Sequence, residues 1–347
     1  TPHLQAVEPS AESLLTCRFQ QVIRMTCIRA STPRNCFTCR GQSDARLILE
    51  HFTHVGYGHS ECRQCGITFD SNVNETIDTH LSEREISNIE DEGLYRDLFI
   101  ETSKIATDEG EIYSSFDWES NDDVKSGVAA HVIASLKKHG LTELGCFVDV
   151  GCGDGFTSVQ ISKQFPDAKV IPIDPSPLVR RLAGSPGIEP YHGILQNAPI
   201  PDGSADAVAI IGNWMLHTDP VDTARVAHQK LRHGGLLVLD FKNVLSLTRV
   251  LAKTALRMRL DRIAMKTWLQ RNFLNMRFGY HKSFVKRLLE EQGFEILEIY
   301  GKPPRLLEFK NKSAYQRGAA GKLWRALDAI DRWRDEQAWI HVVCQKK

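Results

Sequence analysis

Short apolar runs alternate with amphipathic stretches through most of the chain after residue 123. Each apolar run has the length of a buried β-strand. The predicted strands cover residues 146–150, 169–173, 188–192, 205–211 and 235–240. The helices predicted between them cover residues 155–164, 175–183 and 219–231. Strands that alternate with helices in this way pair in parallel, so the pattern predicts an α/β fold with a doubly wound sheet.

The pattern continues on both sides of this alternation. Apolar residues at helical spacing over 124–136 predict a helix before the first strand, and Gly140 stops it. The elements predicted after the fifth strand are a helix at 281–292, a strand at 294–299, a helix at 314–335 and a strand at 338–344. One face of the last helix is apolar, and we expect it to pack in the core. That face carries Leu323, Leu327, Ile330 and Trp333.

The first predicted strand runs directly into a turn with glycine at every second position. This segment, Phe147–Gly155, contains Gly151, Gly153 and Gly155. Glycine permits positive φ and leaves no Cβ between backbone and ligand, and a helix start presents free N–H groups to an anion. Asp174 ends the second strand, where a carboxylate can accept hydrogen bonds from both ribose hydroxyls. The unit predicts a crevice for a nucleoside-containing cofactor at the carboxyl edge of the sheet.

Two details distinguish this turn from a dinucleotide site. Its glycines lack the Gly-x-Gly-x-x-Gly spacing, and Asp149, just before Gly151, would repel a pyrophosphate. That carboxylate can instead help to hold a cationic amino-acid end. With four further motifs in order, residues 140–300 resemble the class I S-adenosylmethionine (SAM)-dependent methyltransferases. The motifs are Val148–Gly155, Ile173–Pro177, Ala198–Asp206, Trp214–His217 and Leu231–Leu239.

The resemblance implies SAM as the cofactor and a Rossmann-like, seven-stranded sheet that an antiparallel pair of C-terminal strands closes. Family members often carry a polar or acidic residue near the adenine, shortly after the glycine of the third strand. This chain has Gly193–Asn197 there, so adenine recognition would fall to backbone groups, Gln196 or Asn197. The cofactor-binding residues that follow are Asp149, Gly151, Cys152, Gly153, Gly155, Asp174, Pro175, Leu195, Gln196 and Asn213.

Methyl transfer is an in-line displacement, so an enzyme gains most by aligning the nucleophile with the sulfonium methyl and by excluding water. A general base helps only where the nucleophile must lose a proton. His217, just past the fourth strand, is one candidate base, and the alternative that it only shapes the turn stays open. Tyr280 and His281 form a second candidate pair.

Four cysteines form two Cys-x-x-Cys pairs near the N-terminus, which fits a four-thiolate zinc site of the ribbon type. The pairs are Cys36 with Cys39 and Cys62 with Cys65. Disulfides are the alternative, but they need an oxidising compartment that nothing in the sequence indicates. Four thiolates close the coordination shell, so the zinc would be structural. We expect a hairpin that begins with Arg46–Phe52 and a third strand at Gly66–Asp70.

The chain thus divides into a leader expected to be disordered (1–33), a zinc ribbon (34–71), an acidic helical connector (72–122) and a methyltransferase domain (123–347) with a lid insertion (243–279). The insertion is basic and amphipathic, and it follows the fifth strand, so it would lie over the carboxyl edge of the sheet. Three interpretations of it stay open. It can cover an anionic or lipid-linked substrate, dock on the acidic connector, or attach peripherally to an anionic membrane surface.

Charge and hydropathy narrow the function further. The 43 basic residues balance the 43 acidic ones, which argues against nucleic-acid binding by bulk charge. The apolar runs are shorter than the ~20 residues that span a bilayer. Without a recognisable secretory signal, we expect a cytoplasmic protein with reduced thiols.

A four-cysteine module before the core also resembles, in part, the sugar C-methyltransferases. We therefore expect SAM-dependent methyl transfer to a small, anionic acceptor, either a saccharide or a lipid-linked intermediate. The alternatives are an rRNA or tRNA methyltransferase whose zinc ribbon engages RNA, and a catalytically inactive scaffold with the same fold. The atom that is methylated and the oligomeric state stay open.

Overall fold

The computed structural model of the protein describes residues 45–52, 57–62, 65–70, 122–217, 219–247, 249–251, 254, 278–302 and 318–347. In chain order the strands are β1 (Ala45–Phe52), β2 (Tyr57–Cys62), β3 (Thr68–Asp70), β4 (Cys146–Val150), β5 (Lys169–Asp174), β6 (Tyr191–His192), β7 (Ala205–Ile210), β8 (Leu231–Lys242), β9 (Phe278–Gly279), β10 (Phe294–Lys302) and β11 (Trp339–Lys346). The α-helices are α1 (Asp122–Lys138), α2 (Phe156–Gln164), α3 (Pro220–Lys230), α4 (Lys282–Glu291) and α5 (Gly318–Trp333).

Seven strands form the main sheet, in the order β10-β11-β8-β7-β4-β5-β6. The five strands from β8 to β6 run parallel, whereas β11 is antiparallel to both β8 and β10. The chain winds outward in both directions from the β4–β7 pair, so a crevice opens there at the carboxyl ends of the strands. The predicted doubly wound, Rossmann-like sheet with a closing antiparallel pair is confirmed.

The sheet is covered on both faces, and β4 shows why its sequence is apolar at successive positions. Successive side chains of a strand face opposite sides of the sheet. Phe147 packs with Leu136 of α1 and Ile161 of α2 in one apolar cluster. Val148 and Val150 belong to the other cluster, on the face that α3 and α4 cover. A parallel strand buried in this way needs apolar residues on both sides.

A second, smaller sheet has the order β1-β2-β3-β9, and all its pairs are antiparallel. The hairpin and the third strand expected around the second cysteine pair are present as β1, β2 and β3. The fourth strand is a finding of the structure. In its register Thr68 lies opposite Gly279 and Phe69 lies opposite Phe278. This pairing joins the small sheet to the last two residues of the expected lid insertion.

The two ends of the insertion after β8 lie next to each other. The Val244 N–H donates to the Tyr280 carbonyl at 2.9 Å, and Asn243 forms a parallel bridge with Tyr280. Asp331 of α5 accepts a hydrogen bond from the Leu247 N–H, which lies 2.9 and 3.0 Å from its two carboxylate oxygens. The two described ends of the insertion are therefore joined to each other, and its beginning is also bonded to α5.

The prediction for the apolar face of α5 is wrong for three of its four residues, and the fourth, Leu327, is half-buried. Leu323, Ile330 and Trp333 are 61%, 45% and 86% exposed. Asp328 and Asp331 are buried instead. The helix turns these carboxylates inward because Asp331 binds the backbone at the start of the insertion, a contact that the spacing of apolar residues does not reveal.

Two predicted elements are shorter than expected. The stretch 175–183 contains a 3₁₀ turn, Pro177–Leu182, which the Ser176 hydroxyl caps. The third strand of the main sheet is reduced to Tyr191–His192. Pro190 comes directly before it and has no N–H to donate, which fits an edge position.

Several expectations fall outside the described residues. They concern the leader (1–33), Cys36, Cys39, nearly all of the acidic connector (72–122) and most of the insertion (243–279). Among the helices that the structure does describe, none has the length and hydropathy to cross a bilayer.

Candidate active site

The turn after β4 is a cradle made of backbone. Gly151, Gly153 and Gly155 have φ angles of 68°, 59° and 77°, in the left-handed region that favours glycine. A Cβ on Gly151 would overlap the Asn213 side chain, and a Cβ on Gly155 would overlap Leu182. A Cβ built on Gly153 would meet no described atom within 4 Å. The turn is therefore packed at its two ends and open at Gly153, where a ligand can approach the backbone.

Asp174 fixes the open part of this turn. It is the last residue of β5, and its Oδ2 accepts a hydrogen bond from the Gly153 N–H at 2.8 Å. Its Oδ1 accepts one from the Ser176 N–H, also at 2.8 Å. An ionised carboxyl group has about four acceptor sites, so these two backbone bonds do not exhaust it. Asp174 can therefore hold the turn and accept hydrogen bonds from a ligand as well.

Asp149 lies under the turn, near the end of β4. It is buried, and its Oδ2 accepts a hydrogen bond from the Ser158 hydroxyl at 2.6 Å. Burial raises the pKa of Asp149 to about 6, although the hydrogen bond from Ser158 acts in the opposite direction. Burial, together with the charge of Asp174, also raises the pKa of the Cys152 thiol. Cys152 therefore stays protonated and serves as a small side chain of the turn.

Lys125 of α1 is a buried cation at the turn that was not singled out in the sequence. Its side chain is 3% exposed and forms an ion pair with Asp154, the residue after Gly153. Burial of a charge is costly unless it is paired, so the buried position of Lys125 indicates a specific role at the turn. The signal in the sequence was a lysine in helical register with the apolar residues Val132 and Leu136.

The turn after β7 supplies Asn213 and His217. The Asn213 side-chain amide donates to the carbonyl oxygens of Val150, at 2.8 Å, and Gly151, at 3.0 Å. Its Oδ1 lies 2.9 Å from His217 Nε2. His217 is buried, and its Nδ1 lies 3.1 Å from Thr223 Oγ1. Asn213 thus touches the glycine turn directly, and His217 reaches it through Asn213.

The residues expected near the adenine lie on neighbouring loops. Leu195 is buried, and the Gln196 side-chain amide lies 3.3 Å from Thr223 Oγ1, to which it donates. Pro175 begins the loop after β5, and its carbonyl oxygen lies 2.9 Å from His192 Nε2. Thr223 therefore has contacts with side chains of both the β7 turn and the loop at 195–197.

Tyr280 and His281 have packing and capping contacts. Tyr280 is fully buried, and its ring stacks on that of Trp214 with the centroids 4.8 Å apart. His281 caps α4, since its Nδ1 accepts a hydrogen bond from the Phe284 N–H at 3.3 Å. Its Nε2 lies 2.9 Å from the Cys65 carbonyl oxygen. None of these described contacts is with the glycine turn. The Tyr280 ring is held in an aromatic stack, and the His281 ring is held at the start of α4.

Only the second cysteine pair of the expected zinc site lies among the described residues. The Cys65 N–H donates to Cys62 Sγ at 3.4 Å, and the Gly66 N–H donates to the Cys62 carbonyl at 2.8 Å. Both cysteines are buried. Across the residues described, no group of three or more His, Cys, Asp or Glu side chains is arranged to hold a metal. Cys36 and Cys39 are outside that part of the chain.

Residues 148–239, which include the glycine turn, Asp174 and Asn213, match a family model described as a methyltransferase domain. The chain contains a class I SAM-dependent methyltransferase domain. The recognition drawn from the five motifs is therefore confirmed. The matched residues run from β4 into β8, so they include the glycine turn, Asp174 and the turn after β7, whereas Lys125 lies before them.

Curated relatives match about a quarter of the chain. A protein named Methyltransferase str3, from Strobilurus tenacellus, is 33% identical over 94 residues, which are 27% of this chain and 34% of that protein. The malonyl-[acyl-carrier protein] O-methyltransferase of Dechloromonas aromatica is 31% identical over 94 residues, 26% of this chain and 34% of that protein. The chain thus spans about a third of the length of these relatives.

Solved structures with a similar arrangement include a SAM-dependent methyltransferase from Thermotoga maritima, described as a possible histamine N-methyltransferase. It is 19% identical, with a TM-score of 0.42, and the match covers 67% of this chain and 95% of that one. The geranyl diphosphate C-methyltransferase of Streptomyces coelicolor is 14% identical, with a TM-score of 0.44 and coverage of 64% and 79%.

The methyltransferase domain gathers most of the predicted cofactor residues at one edge of its sheet. Hydrogen bonds join Asp174 to Gly153 and Asn213 to Gly151. Asp149, Cys152 and Gly155 belong to the same strand and turn. Gln196 is connected to the same edge through Thr223. Lys125 adds a positive charge to this otherwise acidic group.

Proposed function

We propose that the protein binds SAM at the glycine turn and transfers its methyl group to a small acceptor that carries an anionic group. The observation that supports this best is the cradle at Gly153, open to a ligand and held by the carboxylate of Asp174. Bound SAM supplies a methyl group on an already activated sulfonium. The residues of the chain then have to bind it, align it with the acceptor and keep water out.

Each part of SAM has a candidate partner in the crevice. Asp174 would accept the two ribose hydroxyls. The backbone of Gly151–Gly155 would face the methionine end, and Lys125 would attract its carboxylate. Asp149 would favour its ammonium group from beneath the turn. The chemistry of this donor set fits SAM, because acceptors for a diol and partners for both charges of an amino acid lie around one open glycine.

The proposed acceptor rests on the insertion after β8. Between residues 243 and 279 the sequence has a single acidic residue, Asp261, among many basic and apolar ones. At its described beginning, Leu245 and Leu251 are 40% and 47% exposed. A basic and apolar segment that follows the carboxyl end of β8 suits an anionic acceptor with an apolar or saccharide portion.

Purified protein with labelled SAM should therefore methylate an anionic glycan or a lipid-linked extract and leave RNA unlabelled. RNA labelling, or RNA binding with a steep salt dependence, would favour the nucleic-acid alternative.

The SAM site can be tested by calorimetry. The intact protein should bind SAM, and Asp174→Ala should weaken binding by about a hundredfold, since the ribose bonds and the support of Gly153 are both lost. Asp167→Ala changes an exposed aspartate of the same domain and should bind SAM normally. An intact protein that shows no SAM binding would contradict the methyltransferase proposal and favour an inactive scaffold.

We also propose that Cys62 and Cys65 bind a structural zinc ion together with Cys36 and Cys39. The hydrogen bond from the Cys65 N–H to Cys62 Sγ supports this, because such bonds stabilise the thiolate that zinc requires. Four thiolates would fill the coordination shell and stabilise the small sheet.

Elemental analysis should find about one zinc per chain. A chelator or Cys62→Ser should remove the zinc and lower the unfolding temperature by several degrees, on the order of 2 kcal/mol of stability. Cys344→Ser is a matched change, because Cys344 is a buried cysteine of β11 outside this proposed site, and it should keep the zinc. Protein that is fully folded without metal would contradict the zinc proposal.

A further inference from the structure

A chain of buried and half-buried polar side chains runs from the glycine turn to the loop at 195–197. We call it the crossing network, and its members are Asn213, His217, Thr223 and Gln196. The Asn213 amide binds the Gly151 carbonyl, and its Oδ1 meets His217 Nε2 at 2.9 Å. His217 Nδ1 meets Thr223 Oγ1 at 3.1 Å, and the Gln196 amide reaches the same hydroxyl at 3.3 Å. The crossing network therefore connects the methionine side of the crevice with the loop expected at its adenine side.

The orientation of Asn213 follows from its surroundings. Its Nδ2 lies within 3.3 Å of three carbonyl oxygens, those of Val150, Gly151 and Ile211. An amide oxygen in that position would be repelled by all three, so the nitrogen must face them and Oδ1 must face His217. Because Oδ1 can only accept, His217 Nε2 has to carry a proton and donate it.

The second ring nitrogen of His217 faces Thr223 in either charge state. In the neutral ring, the Thr223 hydroxyl donates to Nδ1. In the charged ring, Nδ1 donates to Thr223, whose hydroxyl then donates to the Asp219 carbonyl at 3.0 Å. Both nitrogens are thus engaged inside the crossing network, and His217 is only 7% exposed. A general base needs a lone pair aimed at its substrate, and this geometry does not provide one.

We propose that His217 is a positioning residue and that it is not the general base. It holds the glycine turn and the loop at 195–197 at the relative positions that SAM binding requires. This inference rests on the proposed SAM site. Gly151 shows how closely the parts fit, since even a Cβ there would overlap Asn213. A buried polar chain fixes its members only when every partner is present, because one missing partner leaves the others unsatisfied. Removal of the imidazole should therefore lower the affinity of the protein for SAM.

The test compares three replacements of His217 by calorimetry with SAM. His217→Gln can still donate to Asn213 Oδ1, whereas His217→Asn can reach only Thr223, and His217→Ala reaches neither. We expect His217→Ala and His217→Asn to bind SAM about tenfold more weakly than the intact protein. His217→Gln should stay within about threefold, because the bond to Asn213 is kept. His233→Ala removes an exposed histidine of β8 and should change nothing.

The outcomes separate this inference from the proposed function. Unchanged SAM binding in His217→Ala, or equal affinities of the Gln and Asn variants, would overturn the positioning role. If His217→Ala does not fold, the SAM affinities of His217→Gln and His217→Asn are sufficient to test the positioning role. If the intact protein binds no SAM, the proposed function fails, and a cycle of unfolding measurements with Asn213→Ala tests the crossing network itself. Non-additive losses of stability would support it, and additive losses would overturn it.

Discussion

The glycine turn and the aromatic cluster around Trp214 are built in different ways, and we call them the cofactor side and the aromatic side. The cofactor side is a turn of glycines whose shape is fixed by short polar side chains, such as Asp174 and Ser158. The aromatic side is a buried cluster in which Trp214 stacks on Tyr280, and Tyr280 on Phe284. Its members come from segments far apart in the chain.

The difference shows which property each side depends on. A cradle of backbone N–H groups needs correct φ angles and satisfied polar atoms, so its weak points are hydrogen bonds and charges. An aromatic cluster needs volume, so its weak points are cavities. Substitutions on the aromatic side should therefore reduce stability, and those on the cofactor side should chiefly change ligand binding or its dependence on pH.

The largest effect is expected on the aromatic side, from Trp214→Ala. Trp214 is fully buried and contacts Tyr280 and Phe241, so its loss leaves a cavity that costs about 3–5 kcal/mol. Urea unfolding measures this loss. Trp333→Ala is the matched control, because that side chain is 86% exposed and should cost less than about 0.5 kcal/mol. Equal losses in the two variants would contradict the packing assigned to Trp214.

A smaller effect is expected from the titration of Asp149 on the cofactor side. Its folded pKa is about 6 against an ordinary value of 3.8, so the folded protein holds this proton more tightly than the unfolded chain. The stability that results is present below about pH 4 and is lost as the pH rises through 6, by roughly 3 kcal/mol. Asp149→Asn cannot titrate there. Its stability relative to the original protein should rise between pH 4 and pH 7, and a constant difference in urea unfolding would exclude the shift.

The smallest effect is expected on SAM binding from Lys125→Met, and it distinguishes contacts with the methionine end of SAM from contacts with its adenosine end. Lys125→Met keeps the length and apolar contacts of the side chain but removes its charge, so SAM should bind about tenfold more weakly. Adenosine, which lacks the methionine carboxylate, should bind equally well to both proteins. Lys163→Met, an exposed change on α2, serves as the control. If adenosine lost as much affinity as SAM, Lys125 would act through the turn and Asp154 rather than on the carboxylate.

The sequence was sufficient for the parts of the structure that depend on neighbours in the chain. The strand–glycine turn–helix unit around Gly151 and the position of Asp174 follow from local pattern, and so do the alternating strands of the main sheet. The antiparallel C-terminal pair followed from the family resemblance. Apart from that pair, the residues that form each feature lie close together or repeat at a fixed period.

The remaining features depend on contacts between distant segments. The pairing of Thr68 with Gly279 involves strands too short to show a period. Burial of Lys125 depends on its partner Asp154, which only the fold brings near. The exposure of Trp333 depends on where Asp331 binds the insertion. A single sequence carries no record of such pairings, so apolar spacing alone led to the wrong face of α5.

The common anchor of the insertion after β8, where Val244 meets Tyr280 at 2.9 Å, makes that stretch a cassette. Its two stems are already closed by the sheet, so a longer or shorter version adds only a modest loop-closure entropy and leaves the strands in place. On the proposed role of this insertion in acceptor binding, its exchange would change the acceptor that is methylated and leave the glycine turn unchanged.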